Sequence, residues 1–309
     1  MPLSGDRTVD FVYRVQEKEK GKTVRDVLRN RYRFSRRFFR RLKESGGVTV
    51  NGRPAFLTAR VEEGDLLQVK LPEERTDIPP QPVSFTVVHE DEDLVVIDKP
   101  PGLVVHPTKD YREHTLANGL VYRWTARGEA HAVHPVTRLD KDTSGLLVIA
   151  KHAYAHDFLA AQMARRRYLR GYLAVVHGEV PEETGVIDAP IARCPDRPAR
   201  RCVMEGGAPA ITRFSVLERF PGATLLRLFL ETGRTHQIRV HLAHRGHPII
   251  GDPMYAEGWE SRGMERQALH AAFLQLTHPR DRRERSWESP LPPDIRRLVQ
   301  RLREGGKAH

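Results

Sequence analysis

Apolar positions along the chain follow two regimes. Up to about residue 70 they fall at helical spacing and then alternate. In KTVRDVLRNRYRFSRRFFRRLKESG, Val24, Val27 and Leu28 share one face and Phe38, Phe39 and Leu42 another, which predicts two short helices. Ser35 suits the N-cap of the second, and Gly46-Gly47 its end. VTVNGRP then alternates around Asn51-Gly52, a strong hairpin signal, and VEEGDLLQVKL supplies a further strand after Gly64-Asp65. The predicted unit is helix, helix, hairpin, strand.

From residue 83 the texture is strand-like: FTVVHED, DLVVIDKP, GLLVIAK, GYLAVVHGEV, ITRFSVLERF and TLLRLFLETG. Helical patterns intervene at 152–166, 235–245 and 293–303. The mixture predicts an α+β domain of catalytic size with a large mixed or antiparallel sheet. Between the regimes, LPEERTDIPPQP combines prolines and charges that no helix or central strand tolerates, and reads as a linker. The expected division is 1–75 (core about 12–70), a linker at 71–82, and a larger domain at 83–309. No internal repeat is visible, and RDRRERSWES reads as a charged low-complexity stretch.

Composition narrows the function. The 309 residues can bury a core without staples. Cys194 and Cys202, with seven residues between them, form no CxxC pair, so reduced thiols in a cytoplasmic protein are expected. The N-terminus lacks an apolar signal region, and no segment approaches the length of a membrane span. Lys plus Arg number 51 against 40 acids, a net charge of +11, which suits a polyanionic partner such as nucleic acid. The excess is uneven: residues 1–75 carry 18 basic and 11 acidic side chains, a net of +7. On the second predicted helix Arg36 and Arg40 lie one turn apart, as do Arg37 and Arg41, with Lys43 close by. Like charges at that spacing destabilise a helix unless something offsets them, as a phosphate backbone would. The plainer reading is a solvated basic face.

Several chemistries lack their parts. There is no GxxxxGK[ST] loop, no GxGxxG after a strand, no HExxH and no GxSxG. His241, His244 and His247 are the best metal-like cluster, but no carboxylate or thiol completes a set, and no metal is expected. In HPVTRLDKDTSGLLVIAK, Asp140 stands on a loop leading into a buried strand, flanked by Arg138 and Lys141. A carboxylate beside a core strand requires a cation or donors to offset its desolvation. An Asx turn would account for Asp142, but not for Arg138-Leu139-Asp140. In ETGRTHQIRVHLAHRGHPIIGDPMY a strand gives way to a helix on which Arg239 can offer a bidentate guanidinium to a carboxylate on another loop. Without such a partner it is a surface arginine. Tyr172 opens the strand YLAVVHG, where it faces either a cleft or the core.

Four ordered motifs, DLVVIDKPPGLVVHP (93–107), RLDKDTSGLLV (138–148), YLAVVHG (172–178) and TGRTHQIRVHLAHRGHPIIGDPMY (232–255), together resemble the RluA-type family of RNA pseudouridine synthases. The front segment, through Val48, Val50, Asn51, Gly52 and Val61, Gly64, Asp65, resembles the S4 RNA-binding domain, which makes the RluD-like branch the nearest match. The resemblance implies a pseudouridine synthase fold and a cofactor-free isomerase that acts on uridine in RNA. Its implied substrate is large-subunit ribosomal RNA first and tRNA second, and its implied state a monomer with no obligatory protein partner. It further implies that Asp140 is the essential carboxylate, that Arg239 pairs with it, and that Tyr172 stacks on the target base. Arg138 would enter the space a flipped base vacates, while Arg36, Arg37, Arg40, Arg41 and Lys43 would grip RNA. On this reading the site holds a single carboxylate, unlike the paired acids of retaining glycosidases. Two positions depart from the family pattern: Thr137 stands where His is usual, and Arg170 where Lys is usual. Rival readings are a non-catalytic RNA-binding or ribosome-assembly factor, which would have lost Asp140, Arg239 or Tyr172, and a glycosidase of free nucleosides, which needs no basic front end.

Overall fold

Alternation of Phe11 and Tyr13 inward with Val12 and Arg14 outward makes a strand, β1 (Phe11–Arg14), that the helix-dominated pattern of this region had hidden. The computed structural model describes residues 11–72, 74 and 76–305. Helices α1 (Val24–Tyr32) and α2 (Arg36–Ser45) follow, then β2 (Val48–Val50), β3 (Arg53–Pro54) and β4 (Leu66–Val69). The four strands form an antiparallel sheet in the order β1-β4-β2-β3. Ser35 accepts from the Phe38 N–H, and Gly46 closes α2 in the left-handed region. Asn51 and Gly52 both take positive φ, 52° and 78°, which turns β2 tightly into β3. Val24, Val27, Leu28, Phe38, Phe39 and Leu42 are buried in this unit's own core.

The larger unit comprises β5 (Thr86–Glu90), β6 (Leu94–Lys99), α3 (Leu116–Thr125), β7 (His134–Pro135), β8 (Ser144–Ala150), α4 (Ala153–Ala164), β9 (Leu169–His177) and β10 (Thr184–Asp188). Then come β11 (Ile191–Arg193), β12 (Arg201–Val203), β13 (Ile211–Phe220), β14 (Ala223–Leu230), α5 (Gln237–His244), β15 (Leu269–Thr277), β16 (Glu284–Glu288) and α6 (Pro293–Gly305). Its main sheet has ten strands in the order β10-β13-β14-β9-β15-β8-β6-β5, with β16 on β15 and β7 on β8. Only the β8–β15 pair is parallel, so the sheet is mixed and the fold α+β. β11 and β12 form a separate hairpin, with Cys202 on β12 and Cys194 directly after β11 as free thiols.

All six expected strands and three expected helices of this unit are present. The omissions are instructive. β15 is the seam of the sheet, yet LHAAFLQLT alternates poorly; its pairing with β8, β9 and β16 overrides a weak local preference. The segment read as low complexity contains β16, whose charged residues suit a sheet edge. α3 had no clear outward face to betray it, because seven of its residues are buried.

The two units meet at α4. Tyr154 projects among Phe11, Phe34 and Phe38, with ring centroids 5.2, 5.0 and 5.7 Å away. The Ser35 hydroxyl donates to Asp157 at 2.7 Å. Between the units, Glu74 accepts from Arg41 at 3.0 Å and from the Ala153 N–H at 2.9 Å, and pairs with His134. Among the described residues no helix is long and apolar enough to cross a membrane.

Candidate active site

Three strands bring the cleft together. Gly145 of β8 pairs with Ala271 of β15, and Ala271 with Tyr172 of β9, so the loop entering β8 emerges at the level of Tyr172. Gly145 has φ of 109°, and a Cβ there would lie 2.3 Å from the Ala271 carbonyl oxygen. The glycine of Thr-Ser-Gly is therefore required by a close strand approach more than by a turn.

The cleft measures about 1020 Å³ and is lined by Thr137, Arg138, Asp140, Tyr172, Arg234 and His236, among others. Such a volume admits a nucleotide. Arg239, 5% exposed, donates one N–H to Asp140 at 3.0 Å across 99 residues of chain. Its bidentate partner, however, is another acid. Nε and Nη2 donate to Asp252 at 2.7 and 2.8 Å, and Asp252 also accepts from the backbone N–H groups of Met254 and Tyr255. The expected fork between Arg239 and Asp140 is thus corrected to a single bond, and the site has two carboxylates, one of them bound up with the arginine and the backbone. Burial opposes the charge on Arg239, but bonding to Asp252 and then the Asp140 charge hold its pKa above the ordinary value. The Asp252 side chain was hidden in sequence by its place in IIGDPMY, although an acid after buried Ile249-Ile250 is the kind of residue that must find a cation.

α5 starts without a side-chain cap, from His236 in the left-handed region at φ 57°. Its approach is fixed instead by Gln237, whose Oε1 accepts from Thr232 and from the Arg234 N–H, while Nε2 donates to the Ile211 carbonyl. His236 Nε2 lies 3.9 Å from Asp140, and Nδ1 lies 2.9 Å from the Tyr255 hydroxyl. The same hydroxyl accepts from the Arg201 N–H, which ties His236 through Tyr255 to β12. Burial lowers the His236 pKa, with Asp140 opposing. The Arg239 guanidinium also lies over the Tyr255 ring, 5.0 Å from its centroid. Sequence reading named neither Tyr255 nor Asp252 as part of the site.

Tyr172 is 6% exposed and lines the cleft, so it is both core and site. Burial pushes its phenol up, Arg170 opposes, and the Asp140 charge adds to the rise, so the hydroxyl keeps its proton at neutral pH. Arg138 is exposed on the same cleft. Arg170, at one of the departures from family pattern, donates to the Thr232 carbonyl at 3.1 Å, and Thr137, at the other, lines the cleft. On α2, Arg36, Arg37, Arg40 and Lys43 are exposed, whereas Arg41 is claimed by Glu74.

The three histidines of 241–247 do not gather as a ligand set: His241 is bonded to Thr212 and to the Ala189 carbonyl, and His247 to the His177 carbonyl. Among the described residues one cluster, Asp91, Asp93 and His278, has ligand atoms within 4.8 Å of one another. It lies outside the cleft lining, and its acids are engaged by Arg280, His152 and His89.

Comparison with known proteins finds relatives along most of the chain. The family described as RNA pseudouridylate synthase matches residues 93–244. The chain is 41% identical over 267 residues to the uncharacterized RNA pseudouridine synthase YlyB of Bacillus subtilis, covering 85% of this chain and 88% of that one. It is 42% identical over 265 residues to the ribosomal large subunit pseudouridine synthase D of Nitrosomonas europaea, covering 83% and 77%. The solved structure of human RNA pseudouridylate synthase domain containing 1 matches with a TM-score of 0.57 at 26% identity, covering 73% of this chain and 97% of that one.

Proposed function

This chain belongs to the RNA pseudouridylate synthase family and is an RNA pseudouridine synthase, an isomerase; we propose that its substrate is a uridine of large-subunit ribosomal RNA and that Asp140 is its catalytic carboxylate. The observation that carries the site assignment is the single N–H that Arg239, anchored bidentate on buried Asp252, presents to Asp140 inside the cleft. Such an arginine fixes the direction of the Asp140 carboxylate before substrate arrives. The reaction breaks the N1 to C1′ bond of uridine, turns the uracil, and rejoins it through C5, with no oxidation and no net gain of atoms. Asp140 acts at the sugar or the base as the essential anionic group.

Tyr172, held as a phenol by burial, packs against the extruded base and offers a proton donor rather than a phenolate. Arg138, exposed beside Asp140, fills the space that the flipped base leaves. The small N-terminal domain supplies salt-sensitive affinity through Arg36, Arg37, Arg40 and Lys43, with Arg41 held back by Glu74. Four of the relatives carry the name ribosomal large subunit pseudouridine synthase D, which supports ribosomal RNA as substrate and the cytoplasm as the place of action.

The test is to map pseudouridines in total RNA from a strain lacking the gene, and in the same strain complemented with the parent chain or with Asp140→Asn. The expected result is a large-subunit uridine that loses modification and regains it only with the parent. Loss confined to tRNA would overturn the ribosomal assignment, and restoration by Asp140→Asn would overturn the role of the aspartate.

A further inference from the structure

One exposed aromatic side chain stands on a loop whose earlier residues line the cleft. Tyr111, 45% exposed, lies on the loop between His106 and His114, whose early residues His106 and Thr108 line the cleft. The loop is closed on itself there: the Thr108 N–H donates to the Tyr111 carbonyl at 2.8 Å, and the Tyr111 N–H to the Thr108 hydroxyl at 3.2 Å. Lys141, the residue after Asp140, places its ammonium over the Tyr111 ring, 5.0 Å from the centroid, and donates to the hydroxyl at 3.3 Å. No carboxylate pairs with Lys141 among the described residues. Tyr111 and Lys141 stand just outside the cleft lining, next to Thr108 and Asp140 that belong to it.

The lysine is thus held over a half-exposed ring with no anion beside it. Single-stranded RNA supplies what both groups lack, an aromatic face for the ring and a phosphate for the ammonium. We propose that Tyr111 and Lys141 form a stacking platform for an unpaired nucleotide next to the target uridine, its base on the Tyr111 ring and its phosphate on Lys141. The proposal rests on the pseudouridine synthase reading and deepens it. Arg138 takes the gap inside the stack, whereas the Tyr111 ring, held on Lys141 directly after Asp140, meets an unpaired base outside it. Every base has such a face, so the platform adds affinity without choosing a sequence.

The experiment uses the full chain carrying Asp140→Asn, bound to a single-stranded RNA substituted with 5-iodouridine and irradiated. The cross-link is expected at Tyr111. In the same chain Tyr111→Ala should weaken binding of this RNA roughly 5- to 150-fold, the range for removal of one base stack, and Tyr111→Phe should restore it. With Asp140 present, Tyr111→Ala should raise KM by the same factor at nearly constant kcat. Cross-links confined to other aromatics, or unchanged affinity in Tyr111→Ala, would overturn the platform. Failure of the enzymatic reading is a separate result: an unsubstituted chain that binds this RNA but forms no pseudouridine in any cellular RNA.

Discussion

In the cleft, Arg239 is 5% exposed and shared between two carboxylates, whereas on α2 Arg36, Arg37 and Arg40 are exposed and have no acidic partner among the described residues. The same guanidinium does different work in the two places. Buried and fully bonded, it acts through direction, because low dielectric and fixed geometry make one contact strong. Exposed and screened, each arginine contributes little, and the set acts through number, as counterion release does on a phosphate chain.

The comparison is broken most forcefully at Arg239. Arg239→Met leaves Asp140 and Asp252 without their cation, and should cost about 3–5 kcal/mol of stability together with essentially all isomerase activity, read by urea unfolding and a pseudouridine assay. Adding Asp252→Asn should recover stability but not activity, which would separate the structural use of the guanidinium from its use on Asp140. A smaller effect is expected on α2. Reversing Arg36, Arg37 and Arg40 to Glu should weaken RNA binding and flatten its salt dependence by roughly 0.7 in log–log slope for each phosphate no longer neutralised, with KM moving more than kcat. Salt titrations that superimpose on the parent would show that this face does not hold RNA.

The smallest effect concerns a third kind of cation. Lys99 is fully buried and donates to the carbonyls of Pro100 and Lys141 at 2.8 and 2.7 Å, bracing the loop just after Asp140. Burial pushes its pKa down to about 7; Asp142 opposes, Arg266 adds to the fall, and Asp140 opposes. Since the folded value lies below the unfolded one, the unfolded chain binds the extra proton between about pH 7 and 10.5, and stability rises with pH through that window and is flat below it. Lys99→Met should remove this slope from denaturation curves taken across the window. A slope that survives the substitution would assign the pH dependence to another group.

Much of this was legible from local pattern. Ser35 as a cap, Asn51-Gly52 as a turn, the buried triplet of α2, and the apolar runs of β6, β8 and β9 each depend on neighbours within a few residues. The pairing of Asp140 with Arg239 was also foreseen, through the resemblance and the need of a core-side acid for a cation. The bidentate partner was not. Asp252 is one acid among 40, and its place after Ile249-Ile250 signals a need for some cation without saying which, until α5 is packed against it. β15 escaped for a related reason, since its strand character is imposed by the partners on either side of it.

By itself, then, the sequence determined the regular elements, the cationic front end, and the short set of residues able to do chemistry, because periodicity, capping and charge are properties of short windows. Tertiary structure alone decided that Arg239 is anchored by Asp252 and only lent to Asp140, that Gly145 is fixed by the approach of Ala271, and that Lys141 lies over Tyr111. Those interactions join segments distant in the chain, and their geometry exists only once the core has set the register between them.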